Sequence, residues 1–501
     1  MTHSVERHPS SWVRPFIYYA LLTALLIAPS ATLWFRTPFN VLGHNFDYFC
    51  GLIQVPGWSA ITASLVSRGT QSALLIAMGF LFYRLAMRHG DAIEAASPRA
   101  ILAACGTILV IHLCGLPWMN PDLFFPIGKG WLDLNYNVDP YRYPIAALGA
   151  STVFGDPMFT NIDPPLFRNT GNYGPLHNSL SVALVGLSGG NIIAAAFLFK
   201  AFNLLCLIGS AWVLHAIALR EGLKAKHLVF TYLCNPIVPL ALVAWGHNDA
   251  QQNVLLLLAL LFVYKDKPAC SGAFLGAAIS LKFVALVTLP ALILYWWLAR
   301  QRRPGSALNA LGACAFVMVI TFASYDGIWT VTKSTFDVSW SPLRSSIYSF
   351  FEPIGKLMGW QGIATAKTVM SAVYVLAGAI ITFGLLWKRD VRPIDLVKAV
   401  VWIFNFYFLL AAPAVLEWYL TWNLACVLLL PTHFRFFAVL VSVFMPLVSF
   451  SLYLPFPVVL GVSMAHYLLY VFCVTRFAPW RGDFEKCSQN AESQSPPQLQ
   501  C

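Results

Sequence analysis

Apolar runs of roughly 18–22 residues, the length that crosses about 30 Å of hydrocarbon, recur along almost the whole chain with short polar connectors between them. They fall near 15–35, 69–87, 101–118, 190–218, 227–245, 250–264, 269–283, 284–299, 307–324, 364–387, 396–413, 418–432, 436–453 and 457–475. The pattern predicts an all-α fold, a polytopic transmembrane helical bundle of about 14 spans. One stretch breaks it. From Met119 to Leu176 the chain is polar, aromatic and rich in proline, with Asp122, Asp133, Asp139, Arg142, Asp156, Asp163 and Arg168. A connector needs only a few residues, so a loop of that length is expected to carry function.

Composition supports the membrane reading. Of 501 residues, 58% are hydrophobic and only 11% charged, too few charges to clothe a soluble domain of this size. The net charge of +11 is distributed in a way that excludes nucleic-acid binding. Basic residues gather in alternate connectors: Arg84, Arg88 and Arg99; Arg220, Lys224 and Lys226; Lys265 and Lys267; Arg300, Arg302 and Arg303; Lys388, Arg389 and Arg392. That habit follows the positive-inside rule and puts both termini in the cytoplasm. The outer side then receives the loops 36–68, 119–189 and 325–363 and the turns at 246–249 and 414–418. Residues 1–481 read as one transmembrane domain and 482–501 as a disordered cytoplasmic tail. The 11 cysteines include no CxxC pair and no zinc spacing. A bacterial inner membrane is the expected location.

Candidate chemistry collects on the outer side. Gly246-His247-Asn248-Asp249 joins two apolar runs, and a helix N-cap would account for one of its polar residues but not for three. Lys282 sits in an apolar run near the outer boundary, where an ionisable group is costly and a functional candidate; snorkelling to the interface is the alternative. Trp418 and Tyr419 could form an ordinary aromatic belt, which leaves Glu417 unexplained. Asp122 follows directly on a span, whereas most other acids of the long loop are expected to be simply solvated. Outside the cytoplasm the accessible activated donors are lipid-linked. One carboxylate as base, cations for a departing phosphate and rings for a sugar face are the minimum for inverting glycosyl transfer.

An ordered series of motifs carries a resemblance. Asp122-x-Phe124 with Gly130 is followed by Asp139-Pro140-Tyr141, Gly155-Asp156-Pro157, Tyr173-Gly174-Pro175-Leu176, Asn235-Pro236, Gly246-His247-Asn248-Asp249-Ala250, Lys282, and Trp418-Tyr419 with Trp422. Over residues 100–425 or so this resembles the GT-C superfamily of integral membrane glycosyltransferases, in particular the polyprenol-phosphate-mannose-dependent α-mannosyltransferases. Two departures stand out: Asp139 where the family usually has Asn before Pro-Tyr, and Phe283 where Pro often follows the lysine.

The resemblance implies transfer of a sugar, mannose first, from a polyprenyl-phosphate donor to an extracytoplasmic glycan or glycolipid, without cofactor or metal. It makes Asp122 the catalytic base, with Asp47 in the first outer loop as rival. Lys282, His247 and Arg142 would neutralise the departing phosphate. Asn248 offers further polar contacts, and Asp249 would orient His247 or the sugar hydroxyls. Tyr173, Glu417, Trp418 and Tyr419 complete the donor groove. The alternative, a transporter or flippase of a lipid-linked glycan or small solute, would gather its polar residues near the midplane in broken helices rather than at one face.

Overall fold

The computed structural model describes residues 10–31, 60–116, 121–162, 164–171, 173–299, 304–326, 363–388, 390–411, 417–430 and 435. Asp47, Cys50, Asp163, the predicted spans 436–453 and 457–475, and the tail 482–501 lie outside them. Among the described residues there is no strand, as expected of an all-α chain. The helices are α1 (Val13–Ala31), α2 (Ala60–Arg88), α3 (Gly90–Ala95), α4 (Pro98–Cys114), α5 (Phe124–Tyr136), α6 (Ala150–Gly155), α7 (Pro175–Leu187) and α8 (Ile192–Arg220). They continue with α9 (Ala225–Leu233), α10 (Asp249–Tyr264), α11 (Pro268–Leu281), α12 (Leu289–Ala299), α13 (Pro304–Phe322), α14 (Ile363–Leu386), α15 (Pro393–Phe406) and α16 (Thr421–Leu428).

Proline sets several starts. Pro98, Pro175, Pro268 and Pro393 each open a helix, where the missing N–H costs nothing and the fixed φ is already helical. Ser97 adds a side-chain cap to the Ala100 N–H at 3.2 Å, and Asn191 caps α8 through Ile193 and Ala194.

The expected count of about 14 spans is not confirmed: among the described residues three helices, Ile192–Arg220, Pro304–Phe322 and Pro393–Leu410, are long and apolar enough to cross a membrane by length and composition. A fourth arises if Ala225–Leu233 and Ile237–Ala244, bent by 51°, are one span. Others over the predicted segments, such as Asp249–Tyr264 and Pro268–Leu281, are shorter. Hydropathy registers apolar length but not the break that Pro236 puts into the run 227–245. The exterior is nonetheless that of a membrane protein: Leu102, Leu205 and Phe316 are 73%, 65% and 66% exposed, suited to lipid tails and costly in water.

Close packing uses small residues. A Cβ on Gly272 or Gly276 would lie 1.9 Å from the Ala310 carbonyl oxygen or 2.6 Å from that of Cys314. The Gly272-x-x-x-Gly276 spacing therefore lets α11 and α13 touch backbone to backbone, the usual solution where lipid supplies no hydrophobic drive.

The stretch after α4 is folded, not open loop. A 3₁₀ turn (Pro121–Leu123) leads into α5, whose Phe124–Gly130 face is buried, and short turns connect α5 to α7. Its acids are also bonded rather than merely solvated. Asp156 accepts from Trp131 Nε1 (2.7 Å), the Tyr136 hydroxyl (2.9 Å) and the Met158 N–H (2.9 Å). Asp133 accepts from Asn178 Nδ2 (2.8 Å) and the Tyr325 hydroxyl (3.0 Å), and Asp139 from the Tyr141 N–H (2.8 Å).

Candidate active site

A broken helix delivers the Gly246–Asp249 turn. After α9 the Asn235 carboxamide accepts from the Ile237 N–H at 3.1 Å, and Pro236 restarts the chain in a new direction. Wide π-type bonds, Trp245 N–H to the Leu240 carbonyl (2.9 Å) and His247 N–H to that of Ala241 (3.1 Å), then carry it into the turn. Gly246 has φ +72°, and a Cβ there would meet the Leu123 side chain at 2.8 Å. Only glycine suits both demands. The same contact seats the Pro121–Leu123 turn, and with it the half-buried Asp122, against His247's neighbour.

Lys282 arrives from the other side. It ends α11 in extended conformation (φ −149°, ψ 119°), so its side chain leaves the helix axis. The Gly174 N–H donates to the Leu281 carbonyl at 2.9 Å, and a Cβ on Gly174 would lie 2.1 Å from the Ser280 carbonyl oxygen. That approach sets Tyr173 beside Lys282. Lys282 Nζ then meets Asp249 Oδ1 at 2.7 Å, the lysine 13% and the aspartate 0% exposed at the side chain. The ammonium lies 4.9, 5.2 and 5.8 Å from the ring centres of Trp422, Tyr419 and Tyr173. Trp422 Nε1 donates to the same Asp249 oxygen and its ring stacks on Tyr419 at 4.2 Å. His247 stacks on Trp418 at 3.8 Å. Glu417 opens the 3₁₀ turn (Glu417–Leu420) that presents Trp418 and Tyr419.

The capping explanation of the turn fails. Asn248 holds the N-cap position of α10, yet its side chain makes no cap bond. Both its polar atoms are buried without a hydrogen-bond partner, as are His247 Nε2, His177 Nε2 and Asp249 Oδ2. Native proteins leave few such atoms, and five in one place suit a polar ligand. Electrostatics ties the residues together. Burial, reinforced by the carboxylates of Asp122 and Asp249, pushes the Tyr173 phenol well above its ordinary value. Burial also lowers His247 to about 3 and His177 to about 4, so both imidazoles are neutral.

Tertiary structure thus brings together Asp122, Tyr173, His247, Asn248, Asp249, Lys282, Trp418 and Tyr419. Arg142 stands apart: it pairs with Asp139 at 3.9 Å and Asp326 at 3.4 Å, with about half its side chain exposed. Tyr141, packed with Phe283, Phe322 and Tyr325, borders the two groups. Sequence reasoning missed Trp422 as a partner of Asp249, and missed His177, Gln251 and Asn203. A signal existed for the last, because Lys200 and Asn203 interrupt the otherwise apolar α8 on one face.

Comparison with known proteins finds relatives of one kind. Residues 51–299 match the family described as alpha-(1->6)-mannopyranosyltransferase, N-terminal domain. The chain is 23% identical to alpha-(1->6)-mannopyranosyltransferase A of Corynebacterium glutamicum over 203 residues, 40% of either chain. It is 22% identical to alpha-(1->6)-mannopyranosyltransferase A of Mycobacterium tuberculosis over 331 residues, 62% of either chain. To a probable alpha-(1->6)-mannopyranosyltransferase of Mycolicibacterium smegmatis it is 25% identical over 430 residues, 76% of this chain and 75% of that one. The match thus spans less than two thirds of the first two relatives. No solved structure matches the chain. These matches show a likeness to alpha-(1->6)-mannopyranosyltransferases over about half of the chain.

Proposed function

We propose that this chain transfers mannose, with inversion, from a polyprenyl-phosphate donor to an extracytoplasmic glycan or lipid acceptor at a bacterial inner membrane. The observation that carries the reading is the buried Gly246–Asp249 turn, where His247 Nε2, both polar atoms of Asn248 and Asp249 Oδ2 lack partners beside a lysine enclosed by aromatic rings. A sugar offers hydroxyls for Asn248 and Asp249 Oδ2, and an apolar face for the rings. A lipid phosphate offers oxygens to Lys282, which spends one of its three N–H donors on Asp249.

In this reaction Asp122 takes the proton of the acceptor hydroxyl as its oxygen attacks the anomeric carbon. The bond to the phosphate oxygen breaks on the opposite side, and the electron pair leaves with the polyprenyl phosphate. Lys282 stabilises the charge that grows there. His247 is neutral, so it contributes a hydrogen bond and a face stacked on Trp418 instead of a charge. Arg142 is engaged with Asp139 and Asp326, and charge neutralisation falls first to Lys282. The mechanism calls on no metal, and the acceptor's identity is left to experiment.

The test uses membranes containing the full chain, labelled polyprenyl-phosphate mannose and an envelope lipid extract. Label should enter a new product with wild type and fall by about 10²- to 10⁴-fold with Asp122→Asn, the range for losing a general base. Equal transfer by both would remove Asp122 from catalysis, and no transfer by wild type would overturn the proposed donor.

A further inference from the structure

Behind the turn runs a chain of buried polar groups to which the reaction above assigns nothing. Asn203 Nδ2, on α8, donates to the backbone carbonyl of His247 at 3.0 Å. A carbonyl oxygen only accepts, so the direction of that carboxamide is decided, with Oδ1 turned away. Oδ1 receives Gln251 Nε2 at 2.9 Å, which leaves Gln251 Oε1 facing His177 Nδ1 at 3.1 Å. An amide oxygen also only accepts, so Nδ1 must carry a hydrogen. Burial keeps the ring neutral, lowering its pKa to about 4, and a neutral ring has one such hydrogen. His177 Nε2 is therefore a bare lone pair. One backbone carbonyl, acting through two carboxamides, has fixed the tautomer.

That lone pair belongs to the site. The imidazole meets Tyr173 edge-on at 4.9 Å and feels the charges of Lys282 and Asp249. His177 is 2% exposed and Nε2 has no hydrogen-bond partner. A buried acceptor held so firmly calls for a donor. We propose that His177 Nε2 accepts a hydrogen bond from one hydroxyl of the lipid-linked sugar, with Asn203 and Gln251 locking the ring in its accepting tautomer. The ligand chemistry is specific: the phosphodiester of such a donor has no hydrogen to give, whereas every free hydroxyl of the sugar has one. Phosphate at this nitrogen would meet lone pair against lone pair. This inference rests on the glycosyl-transfer reading and adds to it a residue that discriminates the sugar.

The experiment compares polyprenyl-phosphate mannose with its 2-, 3-, 4- and 6-deoxy analogues as donors, using wild type and His177→Leu. Each result is the ratio of kcat/KM for mannose to that for the deoxy sugar, which is independent of how much variant protein folds. Wild type should disfavour one deoxy position by roughly tenfold, the worth of one neutral hydrogen bond. In His177→Leu that one ratio should fall to about one, because the variant has no acceptor left to lose. Unchanged ratios at all four positions, with mannose still transferred by wild type, would overturn this inference alone. Failure of wild type to use any of the donors would overturn it together with the functional reading.

Discussion

Two regions of this protein carry carboxylates and treat them differently. Between residues 133 and 156 the acids are satisfied within the fold: Asp156 closes a turn and holds Trp131 and Tyr136, Asp133 ties α5 to Asn178 and Tyr325, and Asp139 caps the Tyr141 N–H. In the 246–249 turn the polar groups are more deeply buried, yet Asp249 Oδ2, His247 Nε2 and both polar atoms of Asn248 have no partner. The first region uses charge to fix its own backbone. The second withholds its hydrogen-bonding capacity from the fold, which makes sense only if something else takes it up.

Breaking the second region should produce the largest effects. Asp249→Ala strands the Lys282 ammonium among three rings with no counter-charge, which should cost about 3–5 kcal/mol of stability and abolish transfer. Thermal unfolding in detergent, together with the transfer assay, checks both. An Asp249→Ala variant as stable as wild type would show that the pair is not a structural element. Gly174→Ala comes next: its Cβ would fall 2.1 Å from the Ser280 carbonyl oxygen, and the forced shift should cost about 1–3 kcal/mol while displacing Tyr173 from Lys282. A raised KM with a lowered melting temperature is the expected signature.

The first region should respond in stability and not in chemistry. Lys129, buried in α5, donates weakly to the carbonyls of Pro140 and Tyr143 at 3.5 and 3.4 Å, and burial lowers its pKa from 10.5 to about 7. The unfolded chain then binds the extra proton between those values, so stability should rise as pH climbs from 7 towards 10.5. Melting curves of wild type and Lys129→Met across that window test this, since the variant should lose the rise. The smallest change is expected from Asp156→Ala, which removes a turn cap at about 1–2 kcal/mol and should leave kcat unaltered. A fall in kcat there would bring the two regions into one functional unit.

Much of this was legible without a structure. Apolar run lengths marked a helical membrane protein, and the excess of polar residues in Gly246-His247-Asn248-Asp249 and at Lys282 marked residues that the fold brings together as a candidate site. Those signals are local, because composition and helix length act over a few turns of chain. The bend inside the apolar run 227–245 was less legible: Pro236 and a π turn interrupt a segment that hydropathy reads as continuous.

The sequence by itself determined which residue types stand in the polar segments and in what order, and hence the class of chemistry they suit. Tertiary structure decided what each of them does. Asp122, Asp133 and Asp156 are chemically identical side chains, and only the seating of neighbouring Leu123 on Gly246, or bonding to Asn178 or to Trp131, distinguishes a candidate base from two structural acids. The state of His177 likewise hangs on a carbonyl seventy residues further along the chain, reached through Asn203 and Gln251. Hydrogen bonds of that separation leave no periodicity to read, and they exist only once the helices have packed.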